Sequence, residues 1–213
     1  MAKLCYNCGK PATTKDHIPP KCLFPKGTRG HLITVPSCRD CNESMALDDQ
    51  YFAAFLSTAA TRSPASLDVW KQKVQPQLHR EDFQGLFKRL AASSHLVSLP
   101  HKGGSIEALL VEAETERLES VLRKIVRGLY CFHHGIPLPG STVVKAYWEL
   151  EDWLPEMALR LSHVVVDQDV FAYRYMLSQR DAGLSIWWLV FYRTFLGVGT
   201  TKPVKFESHG DAG

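Results

Sequence analysis

Cys5-Tyr6-Asn7-Cys8 and Cys38-Arg39-Asp40-Cys41-Asn42 frame the stretch Thr14-Lys15-Asp16-His17-Ile18-Pro19-Pro20-Lys21. Two Cys-x-x-Cys pairs, one in a turn and one opening a helix, are the spacing of a tetrahedral zinc site. Cys5, Cys8, Cys38 and Cys41 are therefore expected to hold a structural Zn²⁺, closing its coordination and stabilising a segment with little core of its own. A redox pair is the alternative, but no thioredoxin-like βαβ pattern surrounds either motif. Between the pairs, Gly9-Lys10-Pro11 signals a turn, and Lys15 to Ile18 reads as extended because Pro19-Pro20 forbids a helix across it. Leu32-Ile33-Thr34-Val35 has strand composition and stops at Pro36. Ser37 is the expected N-cap of a helix beginning at Cys38, carrying Cys41, Asn42 and Met45 and running past Asp48 toward Phe55. The order is strand, strand, helix.

Working outward, residues 51 to 160 are expected to be mainly helical and residues 161 to 205 mainly strand. Ser105 to Leu129 reads as a helix, since Ile106, Leu109, Leu110, Ala113, Leu118, Val121, Leu122, Ile125, Val126 and Leu129 recur at helical spacing. Asp68 to Val74 and Asp82 to Ala92 are shorter helical candidates, and Val144 to Leu161 is another, interrupted at Pro155. Val164 to Val166, Phe171 to Leu177 and Ser185 to Thr200 read as strands, with Asp181-Ala182-Gly183 as a hairpin turn. Trp187, Trp188, Phe191, Tyr192 and Phe195 are expected in the core and on sheet faces. Cys22 and Cys131 read as small buried apolar residues, and His133-His134 as the close of a helix. The class is α+β: an N-terminal ββα zinc unit over residues 1–52, then a C-terminal region over 53–213 with a helical segment and a small antiparallel sheet.

The chain has 213 residues, 45% of them apolar, with a formal net charge of +3. That composition excludes disorder throughout. The charge is concentrated: Lys3, Lys10, Lys15, Lys21, Lys26, Arg29 and Arg39 face Asp16 alone between Lys3 and Arg39, a local excess of +6. Such a cluster suits a polyanion. The start of the chain runs into the first cysteine pair with no apolar leader, and the longest apolar run, Ile186 to Tyr192, is too short to span a bilayer. A cytoplasmic protein without membrane association is the expectation.

A histidine beside a carboxylate, with an amide following on a helix, suits phosphodiester chemistry. Neutral imidazole takes a proton from water near pH 7. A carboxylate and an amide oxygen together hold a hard cation such as Mg²⁺ or Mn²⁺. In combination, Cys-x-x-Cys, Asp-His-Ile-Pro-Pro and Cys-x-x-Cys-Asn resemble the cysteine-bearing branch of the HNH (ββα-metal) endonucleases, over roughly residues 3 to 52. The resemblance implies His17 as general base, Asp16 and Asn42 as ligands of the catalytic divalent ion, and the four cysteines as zinc ligands. The residue that orients the base in that family has His31 as its nearest counterpart. The family's further ligand one turn after Asn42 falls on Ala46, which has no donor; Asp48 and Asp49 are alternatives or helix-capping residues. Lys15, Lys21, Lys26, Arg29 and Arg39 are the candidate phosphate contacts. The expected activity is hydrolysis of nucleic acid, DNA ahead of RNA, with substrate choice, oligomerisation or a protein partner left to the C-terminal region. The rival reading is a zinc module that binds nucleic acid or a partner without cutting.

Overall fold

Alternation along two short strands builds the N-terminal hairpin. In the computed structural model, which describes residues 3–28, 32–59, 63–77, 84–85, 88, 91–149 and 160–204, β1 (Thr14–Ile18) pairs antiparallel with β2 (Ile33–Ser37). Asp16 lies opposite Val35 and His17 opposite Thr34. Asp16, Ile18, Ile33, Val35 and Ser37 are buried on one face, while Lys15 and Thr34 are exposed on the other, the period of two that a half-buried strand requires. Cys38, not Ser37, caps the next helix: its Sγ accepts from the Cys41 N–H. The single helix expected from Cys38 to Phe55 is two, α1 (Arg39–Ser44) and α2 (Ala46–Ala59), separated at Met45. Residue 52, the expected boundary, falls inside α2.

After α3 (Pro64–Val69), with Pro64 in its first turn, come a π-helical turn at Trp70–Val74 and a 3₁₀ turn at Gln75–Gln77. The candidate helix at Asp82 to Ala92 falls mostly outside the described residues. The expected helix from Ser105 to Leu129 is corrected in its first part. Ser94–His101 (β3) and Gly104–Val111 (β4) form an antiparallel hairpin around Gly103 at φ +84°. The helix proper, α4, runs Thr115–His134 and ends at Gly135, whose left-handed φ of +72° lets its N–H reach the Cys131 carbonyl at 2.8 Å. Val144 does not begin a helix either: Thr142–Glu149 is strand β5, and residues 150–159, with Pro155, lie outside the described part.

The remaining strands are β6 (Ser162–Asp167), β7 (Phe171–Leu177), β8 (Ser185–Phe191) and β9 (Phe195–Pro203). They form one antiparallel sheet in the order β5-β9-β8-β7-β6. Asp181 to Leu184 makes the turn between β7 and β8, with Gly183 at φ +88°. The long strand expected from Ser185 to Thr200 folds back on itself. Tyr192 and Arg193 adopt φ of +47° and +62°, and the Thr194 N–H returns to the Phe191 carbonyl at 3.0 Å, a turn whose twist matches paired strands. The expected aromatic core is there: Trp187, Trp188, Phe191, Tyr192 and Phe195 are all buried.

Helix α4 sits between the hairpin and the sheet. A Cβ on Gly199 would strike the Val126 side chain, and one on Gly128 would strike Ile18, so α4 approaches both layers more closely than side chains at those positions permit. Tyr6, Ile18, Val35, Tyr51, Phe52, Leu122, Ile125, Trp187 and Phe191 belong to one continuous core. The class is α+β. Among the described residues, no helix is long and apolar enough to cross a membrane.

Candidate functional site

The four cysteines converge. Cys5 and Cys8 lie in a turn closed by Gly9, whose N–H donates to the Cys5 carbonyl at 3.0 Å, while the Cys5 N–H reaches Lys10 at 2.7 Å. Cys38 and Cys41 stand at the start of α1. All four Sγ atoms lie within 4.8 Å of one another, with Cys8 and Cys38 3.7 Å apart. Thiolates 2.3 Å from a tetrahedral zinc are about 3.8 Å from each other, and all four thiols are free. The donor set and its dimensions fit one zinc ion. Burial opposes the Cys5 thiolate, but backbone hydrogen bonds at Cys38, Cys8 and Asn7 outweigh it and bring the thiol down to about 6. Cys41 moves the other way, to about 12: burial raises it, the Asn7 amide at 3.6 Å opposes, and the Cys38 and Cys8 thiols add to the rise. A cation at the centre favours all four thiolates.

Asp16 and His17 stand on β1, and Asn42 of α1 reaches the same strand. The Asn42 amide nitrogen lies 3.4 Å from both the Lys15 carbonyl and Thr14 Oγ1. A carbonyl only accepts, so the nitrogen must face Lys15, which leaves the amide oxygen Oδ1 turned away from it. Thr14 and Asp16 are two residues apart on one face of the strand, and Asn42 meets that strand at Thr14 and Lys15. His17 is half-buried in the alternate position. Burial, then the Lys21 ammonium, pushes its pKa below the usual histidine value; Asp16 works in the opposite direction and Lys124 adds to the fall.

Tyr6 and Lys124, absent from the sequence expectation, and Asp49, expected there as an alternative ligand or a helix-capping residue, complete this surrounding. Asp16 is only 5% exposed. Its Oδ2 accepts from the Tyr6 hydroxyl at 2.9 Å and from the Lys124 ammonium at 3.1 Å. Lys124, from the middle of α4, is itself buried and reaches Asp49 Oδ2 at 2.7 Å. Burial raises Asp49 to about 6 despite that ammonium, and its other oxygen, Oδ1, is buried with no hydrogen-bond partner. Lys124 moves up: burial lowers it, but Asp49 and Asp16 together outweigh burial. Among the described residues, nothing donates to Asp16 Oδ1. Tyr6 reads in the sequence as the variable residue of a Cys-x-x-Cys, and Lys124 as one charge among several on an amphipathic helix. Neither has a spacing that ties it to Asp16.

The basic candidates are distributed around the hairpin. Lys15, Lys21, Lys26 and Arg39 are exposed, Arg39 beside Glu43 at 3.8 Å. Lys3, Lys15, Thr13 and Thr34 line an open groove of about 440 Å³ along the outer side of β1 and β2. Arg29 and His31 lie outside the described residues. Ala46 opens α2 and brings no donor. Asp48 is engaged by Arg117 at 2.7 Å. Cys131 is buried, and burial raises its thiol; Cys22 is partly buried, donates to the Asp49 carbonyl at 3.2 Å and rises for the same reason to about 12. No family model, curated protein or solved structure matches the chain.

Proposed function

We propose that the protein is an HNH-type endonuclease that hydrolyses phosphodiester bonds in nucleic acid, DNA ahead of RNA, with Mg²⁺ or Mn²⁺. The observation that carries this reading is Asn42 laid across β1 beside Asp16-His17, on a hairpin whose ends are joined by the four-cysteine cluster. Asp16 Oδ1 and Asn42 Oδ1 are the hard oxygen donors that would hold the divalent ion. Bound there, the ion supplies charge neutralisation at the scissile phosphate. The His17 imidazole accepts the proton of the attacking water as its oxygen bonds to phosphorus and the bond to the leaving alkoxide breaks. Lys15, Lys21, Lys26, Arg29 and Arg39 hold phosphates of the strand without reading bases. The zinc, held by Cys5, Cys8, Cys38 and Cys41, keeps the start of α1 against the hairpin.

The test is cleavage of plasmid DNA and structured RNA by the full chain with Mg²⁺, Mn²⁺ or EDTA, beside His17→Ala, with zinc content measured on both. Metal-dependent cutting by the wild type, lost in a folded and zinc-loaded His17→Ala that still binds the substrate, is the expected result. Equal cutting by both removes His17 as the base. The ion pair at Asp16 favours one second reading, because an ammonium at 3.1 Å already neutralises the ligand carboxylate. On that reading the chain is a non-catalytic zinc module that binds nucleic acid, and the wild type retains DNA in a gel shift but cuts nothing under any of these conditions.

A further inference from the structure

The least expected charge in the molecule is Lys124. Lysine is almost never fully buried unless it is paired, and this one is 5% exposed in the centre of α4. It bridges two carboxylates that come from different elements, Asp16 of β1 at 3.1 Å and Asp49 of α2 at 2.7 Å. Tyr6 completes the grip on Asp16 Oδ2 at 2.9 Å. Both donors hold the one oxygen Oδ2, and among the described residues none holds Oδ1, which is left for a further partner. An ion pair that served packing alone is often no more stable than apolar residues of the same volume, so the buried pair of Asp16 and Lys124, with Asp49 on its other side, calls for a further role.

We propose that Lys124 is a positioning residue of the Asp16–Asn42 site. Its ammonium orients Asp16 so that Oδ1 alone is presented to a divalent cation, and with Asp49 it sets the charge that cation meets. With both carboxylates ionised, the triad of Asp16, Asp49 and Lys124 carries a net charge of −1. The inference rests on the reading of Asp16 as a metal ligand and assigns the middle of α4, and so the C-terminal region, a part in that site. Removing a residue that orients a metal's ligands typically costs about 10- to 100-fold in affinity or activity; for Lys124 the cost falls on turnover, because the positive charge lost with it acts on cation affinity in the opposite direction.

The experiment titrates Mn²⁺ into zinc-loaded full-length protein without nucleic acid, follows the free ion by its paramagnetic resonance, and measures zinc content and cleavage on the same preparations. Lys124→Met keeps the apolar length of the side chain and brings the triad to −2; Mn²⁺ is expected to bind about tenfold tighter or more. With Asp16 no longer oriented, kcat falls about tenfold or more, with KM for nucleic acid little changed. Asp49→Asn brings the triad to 0 and is expected to weaken Mn²⁺ by a similar factor. A purely structural ion pair predicts the same direction for both variants, or no change in either, and that result overturns the proposal. So does the absence of Mn²⁺ binding in all three proteins. Should Lys124→Met fail to fold, Asp49→Asn decides alone: weaker binding than wild type supports the proposal, and equal or tighter binding overturns it. Opposite shifts in Mn²⁺ affinity with no cutting by any protein would refute the nuclease and leave this inference standing. Wild-type cleavage with Mn²⁺ affinity unmoved in both variants would refute the inference and leave the nuclease standing.

Discussion

Asp16 owes its state to two residues that reach it from elsewhere in the chain. Replacing it by alanine leaves the buried Tyr6 hydroxyl without its acceptor and takes one of two carboxylates from the buried Lys124, and breaking a buried ion pair in this way is expected to cost about 3–5 kcal/mol of stability. Tyr6→Phe removes one hydrogen bond to a charged oxygen and should cost less, about 1.5–3 kcal/mol. Urea midpoints at constant slope measure both, and an Asp16→Ala midpoint within error of wild type would show that the ion pair is energetically idle. His133 offers a pH-dependent counterpart away from the site. Its Nε2 lies 2.9 Å from the Tyr173 hydroxyl, and its ring lies tilted against Tyr175 with centroids 4.1 Å apart. Burial, then His134, lowers its pKa below 6.5. The folded protein thus favours the neutral ring, and the unfolded chain takes up the proton first as pH falls. Stability from this residue is complete above about pH 6.5 and declines below it. His17 adds to that decline, while Asp49, raised to about 6, opposes it. Unfolding of His133→Gln at pH 7.5 and 5.5 should therefore show a smaller loss on acidification than wild type; an equal loss would place the sensitivity elsewhere. That His17 lies on a strand and Asn42 on the helix after the second strand is legible in the sequence, because Pro19-Pro20 follows the one and a zinc-spaced cysteine pair opens the other. The contacts of Tyr6 and Lys124 are not, because their partners are fixed by packing and not by interval.

Among the elements, α4 explains both a success and a failure of periodicity. Leu118, Val121, Leu122, Ile125, Val126 and Leu129 are buried at helical spacing, so the second part of the expected helix held. Ile106 and its neighbours have the same spacing but form a strand, and Ile106 is 46% exposed. Leu96 and Leu99 of the partner strand are exposed as well. Apolar spacing reports a helix only where it reports burial, and a short apolar run on an exposed hairpin carries no such information. Gly128 looks like a weakness inside α4 until the hairpin is placed against it. Alanine at a helix interior is worth about 1 kcal/mol over glycine, yet a Cβ here meets Ile18, a branched side chain that is 1% exposed. Overpacking of this kind costs about 1–3 kcal/mol, so Gly128→Ala is expected to lower stability. It should also reduce cleavage, since Ile18 follows the proposed base directly. A Gly128→Ala protein more stable than wild type would show that the hairpin yields easily. The four-cysteine cluster acts on the same hairpin from its other end. Cys5 is fully buried and Tyr6 belongs to the common core, so chelation of the metal should lower the melting temperature of the whole protein. A thermogram unchanged by chelation, with zinc confirmed absent, would make the cluster dispensable.

At the scale of the whole molecule, the hairpin and the five-stranded sheet share one core through α2 and α4. Phe52 of α2 meets Phe191 of β8 edge-on at 5.3 Å, and Tyr192, in the turn after β8, donates to the Leu23 carbonyl at 2.7 Å. The α+β class is legible because the strand-rich and helix-rich stretches differ in composition. The place of β5 beside β9 is not, because the stretch from Val144 reads as a helix and its partner strand lies at the far end of the sequence. This shared core yields a prediction about the motif-bearing segment taken alone. Residues 1–52 contain all four cysteines, Asp16, His17 and Asn42, and therefore every group that the family resemblance implies. They lack Gly128, which covers Ile18, and Lys124, which holds Asp16, and the cut falls within α2. The zinc ligands are local and need little else, so the fragment should bind one zinc ion through its cysteines. The hairpin is different: Ile18, Ile33 and Val35 would face water, and an isolated two-stranded hairpin is marginal at best. With zinc bound, the fragment is expected to show dispersed amide resonances for the cysteine turns and collapsed ones for β1 and β2, and to cut nothing. A fragment whose hairpin amides match those of the full chain would mean that zinc alone organises the site, and that α4 merely leans on a structure already made.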